Sequence, residues 1–152
     1  MKPVLVSVKS IQRDQAGEDT IVELVSSGKY YEKNDVKYIV YNESEVTGMD
    51  GVRTTIKLYP KSVVLLRSGA ARMRHQYVLG DMQEAIYETP MGDIQFAVKT
   101  HELEIAITNG EGDVRLGYDI SIGGEWQFYN QLFINLREDT DNGYERHLAS
   151  GH

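Results

Sequence analysis

The chain has 152 residues, 41% of them hydrophobic, a net charge of −7 and no cysteine. That length predicts one domain with a core of its own, and the composition lies outside the disordered class. An acidic chain without a Lys/Arg cluster argues against nucleic acid, which is held by neutralising phosphates, and the absence of thiols excludes disulfides, thiolate metal sites and thiol catalysis.

Ten short strands are predicted, with no segment of helical period. Residues 4–13 form the first, Val4, Val6 and Val8 alternating with Leu5, Ser7 and Lys9. Gln15-Ala16-Gly17-Glu18 turns the chain into a second strand over 20–28, which Gly28 is expected to end. Residues 29–35, with Tyr30 and Tyr31, are polar and give no clear period. The third strand covers 36–46, and Gly48-Met49-Asp50-Gly51 closes a hairpin into 52–59, where Val52, Thr54, Ile56 and Leu58 face the core. After Pro60-Lys61-Ser62, the run Val63–Arg67 is apolar on both faces, so periodicity does not orient it. Along 72–79, Met73, His75, Tyr77 and Leu79 point inward. Along 84–89, Ala85, Tyr87 and Thr89 do so, before the turn Thr89-Pro90-Met91-Gly92.

Residues 93–109 change parity. Ile94, Phe96, Val98 and Thr100 occupy even positions, whereas Leu103, Ile105 and Ile107 occupy odd ones. A flip near His101-Glu102 implies a bulge, a corner or a break into two strands. Asn109-Gly110 signals a hairpin, strand 114–122 follows, and Gly123-Gly124 leads into 126–137, with Trp126, Phe128, Asn130, Leu132, Ile134 and Leu136 inward. Residues 1–138 are thus read as the barrel domain and 139–152 as a polar C-terminal tail. The N-terminus shows no signal-peptide pattern and no segment has the 18 or so apolar residues of a membrane span. A cytoplasmic protein without membrane contact is expected.

Strands joined by short hairpins, without crossover helices, predict an all-β antiparallel up-and-down barrel of eight to ten strands, a sandwich being the alternative. Closure removes the sheet edges that ten open strands would expose. Polar groups on the inward faces are the feature to explain. Tyr41, Glu43, Thr54, Arg67, His75, Tyr87, Thr100, Tyr118 and Asn130 form the candidate ligand-binding set. Glu43 and Arg67 are read as the interior charges, either an ion pair that pins strand register or a ligand anchor. The rings and hydroxyls either line a cavity for one small ligand or satisfy one another in a filled interior.

Other chemistry finds no support. His75, His101, His147 and His152 lack metal-ligand spacing, and Asp139-x-Asp141-Asn142-Gly143-x-Glu145 departs from the calcium-loop pattern. No nucleophile elbow, phosphate loop or dinucleotide fingerprint occurs. No metal, cofactor or catalytic residue is therefore expected, and an enzyme is the least favoured reading.

The ordered set Tyr41-x-Glu43, Thr54-Thr55-Ile56-Lys57-Leu58, Arg67-x-Gly69, Met73, Tyr87-x-Thr89-Pro90-x-Gly92, Thr100, Tyr118 and Asn130-x-Leu132-x-Ile134 resembles the YwiB-like proteins over roughly residues 36–136. These are uncharacterised bacterial proteins with a calycin-type, lipocalin-like β-barrel. The resemblance implies that fold and no established activity. His75 departs from the aromatic residue that the family pattern favours there. The leading expectation is a barrel that binds a small, anion-bearing ligand inside, with Arg67 and Glu43 as anchors. The alternative is a structural or protein-interaction barrel with a filled interior, a homodimer through the outward rings Tyr129 and Phe133.

Overall fold

Period-two alternation over ten segments, punctuated by Gly, Asn-Gly and Pro turns, leaves the chain one economical way to pair its backbone: each strand against the next. The computed structural model describes residues 1–44, 47 and 49–139. It forms β1 (Lys2–Arg13), β2 (Asp19–Lys33), β3 (Val36–Asn42), β4 (Val52–Leu58), β5 (Ser62–Gly69), β6 (Arg72–Val78), β7 (Met82–Thr89), β8 (Gly92–Thr108), β9 (Glu111–Ile122) and β10 (Glu125–Glu138). Each strand runs antiparallel to its neighbours, and β1 pairs with β10, so the sheet closes into an up-and-down barrel. Among the described residues no α-helix is present. The expected end of the third strand at 45–46, Gly48 of the expected hairpin, and residues 140–152 of the expected tail, with His147 and His152, lie outside the described residues.

Three hairpins turn on residues with positive φ at both central positions: Asn34-Asp35, Asn109-Gly110 and Gly123-Gly124. Such turns match the right-handed twist of the strands they join. Gly28 does not end a strand as expected. β2 runs on to Lys33, and Gly28 sits where a Cβ would lie 2.7 Å from the Val40 carbonyl oxygen and 2.8 Å from Val6 Cγ2. Glycine is required there for close approach inside a long, coiling strand rather than for a turn.

The parity flip in β8 is a bulge: the β8–β9 register shifts between Thr100 and Glu102, so a single strand changes its inward set at His101. A second shift, between Trp126 and Phe128 in β10, corrects the expectation for Trp126. Trp126 pairs with Ser121 on the outer face and is 37% exposed, whereas Phe128 pairs with Ile120 on the inner face. Leu79 is also corrected. β6 ends at Val78, the turn through Gly80 follows, and Leu79 is 56% exposed.

The two halves of the barrel differ. Toward the end where β1 begins and β10 finishes, Val4, Val6, Ile39, Ile56, Leu58, Val63, Val114, Leu116, Ile134 and Leu136 are buried in one apolar cluster. The apolar run of β5 is oriented here, Val63 and Leu65 facing this core. Toward the other end, where the β1–β2, β3–β4, β5–β6, β7–β8 and β9–β10 connections lie, the inward positions carry the polar residues, and the interior is hollow.

Candidate functional site

A cavity of about 420 Å³ occupies that upper half. It is positioned by parity. The even positions of β1 that supply Val4 and Val6 to the packed half continue into Ser10 and Gln12 in the hollow half. On β5 the same face runs from Val63 through Leu65 to Arg67, and on β6 from Tyr77 through His75 to Met73. Of the residues expected to face a ligand, Tyr41, Glu43, Arg67, His75, Tyr87, Tyr118 and Asn130 line this cavity. Thr54 and Thr100 do not. Thr54 is fully buried behind Glu43, and Thr100 is buried beside the β8 bulge, its hydroxyl without a hydrogen-bond partner.

Glu43 and Arg67 do not form the expected ion pair. Glu43 accepts hydrogen bonds from the Thr54 hydroxyl at Oε1 (2.8 Å) and from the Thr47 hydroxyl at Oε2 (3.0 Å). The carboxylate is thus held by its own side of the barrel, β4 and the β3–β4 connection. The Arg67 side chain has no hydrogen bond or ion pair among the described residues, and its Nε is buried without an acceptor. Its charge is nonetheless felt across the interior. It opposes the upward shifts of the Tyr41, Tyr77 and Tyr118 hydroxyls, which arise first from burial, and it adds to the burial that lowers His75 to about 4. His75 is therefore neutral at physiological pH, its Nε2 also without a partner. Leaving such buried groups unpaired carries the desolvation cost with no return.

The opposite wall is internally satisfied. The Ser10 hydroxyl donates to Asn130 Oδ1 (3.0 Å), and Asn130 Nδ2 donates to the Tyr118 hydroxyl (2.8 Å). Tyr118 packs on Tyr77 with ring centroids 4.8 Å apart, and His75 meets Phe96 edge-on at 5.3 Å. Around them Val8, Val22, Leu24, Ile120, Ile122 and Phe128 make an apolar surface. The cavity is thus amphipathic: among the described residues one unpaired cation stands on β5, and β1, β2, β9 and β10 supply an apolar surface around the Ser10–Asn130–Tyr118 hydrogen bonds.

Reading the sequence missed Ser10, Gln12, Val22 and Leu24 as lining. Extending the β1 parity to position 12 was the signal for the first two. It also missed a network on the outer face beside the β8 bulge. Asp119 accepts from Trp126 Nε1 at Oδ1 (2.8 Å) and meets His101 Nε2 at Oδ2 (2.6 Å), and the Tyr129 hydroxyl donates to Glu102 Oε1 (3.1 Å). Tyr129 and Phe133 are half-buried within their own sheet, Phe133 under the Arg115 guanidinium at 5.4 Å.

A larger, open groove of about 970 Å³ runs outside the wall between β5, β6, β7 and β8. Arg67, Arg72 and Arg74 line it together with Glu84, Glu88 and Asp93, so Arg67 borders this groove as well as the cavity. No cluster of His, Asp and Glu with metal-holding geometry occurs among the described residues.

Comparison with known proteins places these features in context. A family model described as "Domain of unknown function (DUF1934)" matches residues 6–134. The "Uncharacterized beta-barrel protein YwiB" of Bacillus subtilis (strain 168) is 27% identical over 138 residues, a span covering 91% of this chain and 95% of that protein. The crystal structure of the ywiB protein from Bacillus subtilis superimposes with a TM-score of 0.82 at 25% identity, covering 91% of this chain and 93% of that one.

Proposed function

Since this chain belongs to the DUF1934 family of β-barrel proteins, whose function is unknown, we propose that it acts as a calycin-like carrier or sensor. It binds one small, anion-bearing molecule in the upper half of the barrel. The observation that carries this reading is Arg67, a guanidinium that lines the cavity with its Nε buried and unpaired among the described residues, while the Glu43 carboxylate, which lines the same cavity, accepts from Thr54 and Thr47. Arg67 is half-buried, and an Nε shielded from water without an acceptor carries a desolvation cost, which a ligand carboxylate or phosphate binding the guanidinium in bidentate fashion relieves. Glu43, tied to Thr54, fixes the shape of the polar wall rather than pairing with the cation.

A thermal-shift screen of anionic metabolites on the wild type and on Arg67→Ala tests the reading. A ligand present at about 100 times its Kd stabilises the native state by about 2.7 kcal/mol, equivalent to a Tm rise of roughly 5–10 °C for a domain of this size. The expected result is a hit that shifts the wild type and leaves Arg67→Ala within about 1 °C of its unliganded Tm. If no compound shifts the wild type, or the hit shifts both proteins equally, the reading is wrong.

A further inference from the structure

The charges and rings of the cavity narrow the class of ligand. Resting on the reading above, we propose that the molecule it takes is a monoanion carried on a flat aromatic body of one or two fused rings, with a carboxylate or sulfonate at Arg67.

The charge count comes first. Among the described lining residues Arg67 is the one cation and Glu43 the one carboxylate, and His75 stays neutral above about pH 4. A single negative charge at Arg67 is compensated by that cation. A second charge on the same group has no cation left to meet and faces the Glu43 carboxylate inside a cavity of low dielectric. Sites for phosphate dianions answer this with clustered Lys and Arg, a helix N-terminus or a nest of backbone amides. The described lining supplies no second cation, and the described residues form no α-helix.

The body of the ligand follows from the walls. Tyr41, Tyr77, Tyr87, Phe96, Tyr118 and Phe128 all reach the cavity. Rings pack best on other rings, offset or edge-on, and the resident rings already pack on one another, Tyr77 tilted on Tyr118 and His75 edge-on to Phe96. An alkyl chain of equal volume buries similar area but forgoes those contacts. A space of about 420 Å³ lies near the lower end of small-molecule pockets, roughly 300–1,000 Å³, and suits a compact body.

Calorimetric titration of the full chain with four probes of similar size separates the claims: 1-naphthoate, 1-naphthyl phosphate, 1-naphthalenemethanol and decanoate. At pH 7.5 naphthoate is expected to bind at least about tenfold more tightly than each of the others, and Arg67→Met is expected to level naphthoate with the neutral alcohol. A second measurement needs no variant. The phosphate monoester loses its second proton near pH 6, so its affinity is expected to fall about thirtyfold between pH 5 and pH 7.5 while that of naphthoate stays level. Naphthyl phosphate binding as well as naphthoate, or tightening as pH rises, overturns the monoanion. Decanoate matching naphthoate overturns the aromatic body. Failure of naphthoate to bind overturns this inference as a whole, and it leaves the cavity reading standing if the metabolite screen yields an Arg67-dependent hit of another class. Failure of the probes and the screen together removes that reading as well.

Discussion

His75 shows how one side chain couples the interior to pH. It is 2% exposed, packed by Tyr77, Phe96 and Tyr118, and faces the charge of Arg67. Burial, and then Arg67, lower its pKa from 6.5 to about 4. The unfolded chain therefore takes up the proton at a higher pH than the folded one. The stability that His75 contributes by remaining neutral is complete above about pH 6.5 and is lost as pH falls toward 4. A shift of that size corresponds to roughly 3 kcal/mol. Chemical denaturation of the wild type at pH 7 and at pH 4.5 is expected to show a loss that His75→Phe, which keeps a ring in the space, largely abolishes. An equal loss in the variant would show that other groups govern the acid limb. The sequence identified His75 as an inward polar residue among core residues. It did not disclose that Nε2 lacks a hydrogen-bond partner, because parity fixes a direction and says nothing of what stands opposite.

At the scale of strands, the outer face of β8, β9 and β10 is tied together where the two bulges occur. The Tyr129 ring crosses Gly117 to reach Glu102, and a Cβ on Gly117 would run into the Tyr129 hydroxyl and lie 3.2 Å from Glu102 Cβ. An aromatic ring laid over a strand glycine restores the cover that the glycine lacks. Burial and the Glu102 carboxylate together push the Tyr129 hydroxyl up to about 12, so it remains a donor throughout the physiological range. Gly117→Ala is expected to cost about 1–3 kcal/mol by overpacking. On a Tyr129→Ala background the same change is expected to cost at least about 1 kcal/mol less, because the clashing group is gone. Urea denaturation of the four proteins measures this coupling, and additive costs would mean that Tyr129 does not lie on Gly117. The bulge in β8 was legible because long, regular runs on either side of His101 disagree in parity. The bulge in β10 was not, since only Glu125 and Trp126 of the strand precede it, too few to establish a period of their own. Leu79 misled for a related reason: its parity was right, but the strand had already stopped.

For the whole molecule, short turns and period two sufficed to specify a closed up-and-down barrel, whereas the completeness of its wall depends on backbone pairing that side-chain pattern does not encode. β6 and β7 pair only at Arg72–Glu88 and Met73–Tyr87, while every other seam is paired along most of its shorter strand. Below that point the two strands part, and the turn between them is drawn to β8 instead, Gly80 N donating to the Thr100 carbonyl (2.9 Å) and Thr100 N to the Asp81 carbonyl (3.3 Å). The outer groove lies over this seam, and Arg67, Met73 and Phe96 border both the groove and the interior cavity, so side chains alone separate the two. Backbone groups that lack a ladder partner exchange their amide protons through small local openings rather than by global unfolding. Alternate amides of Arg74–Val78 and of Met82–Ile86 are therefore expected to exchange at least about a hundredfold faster than those of Val114–Ile120, which β8 and β10 flank on both sides. Hydrogen exchange followed by NMR resolves the two sets residue by residue. A ligand seated at Arg67, beside Met73 and Phe96, is expected to slow exchange at the seam before it affects the packed half. Protection at the seam equal to that of β9 would mean that the wall is closed there in solution, and that the ligand reaches Arg67 through the upper mouth alone.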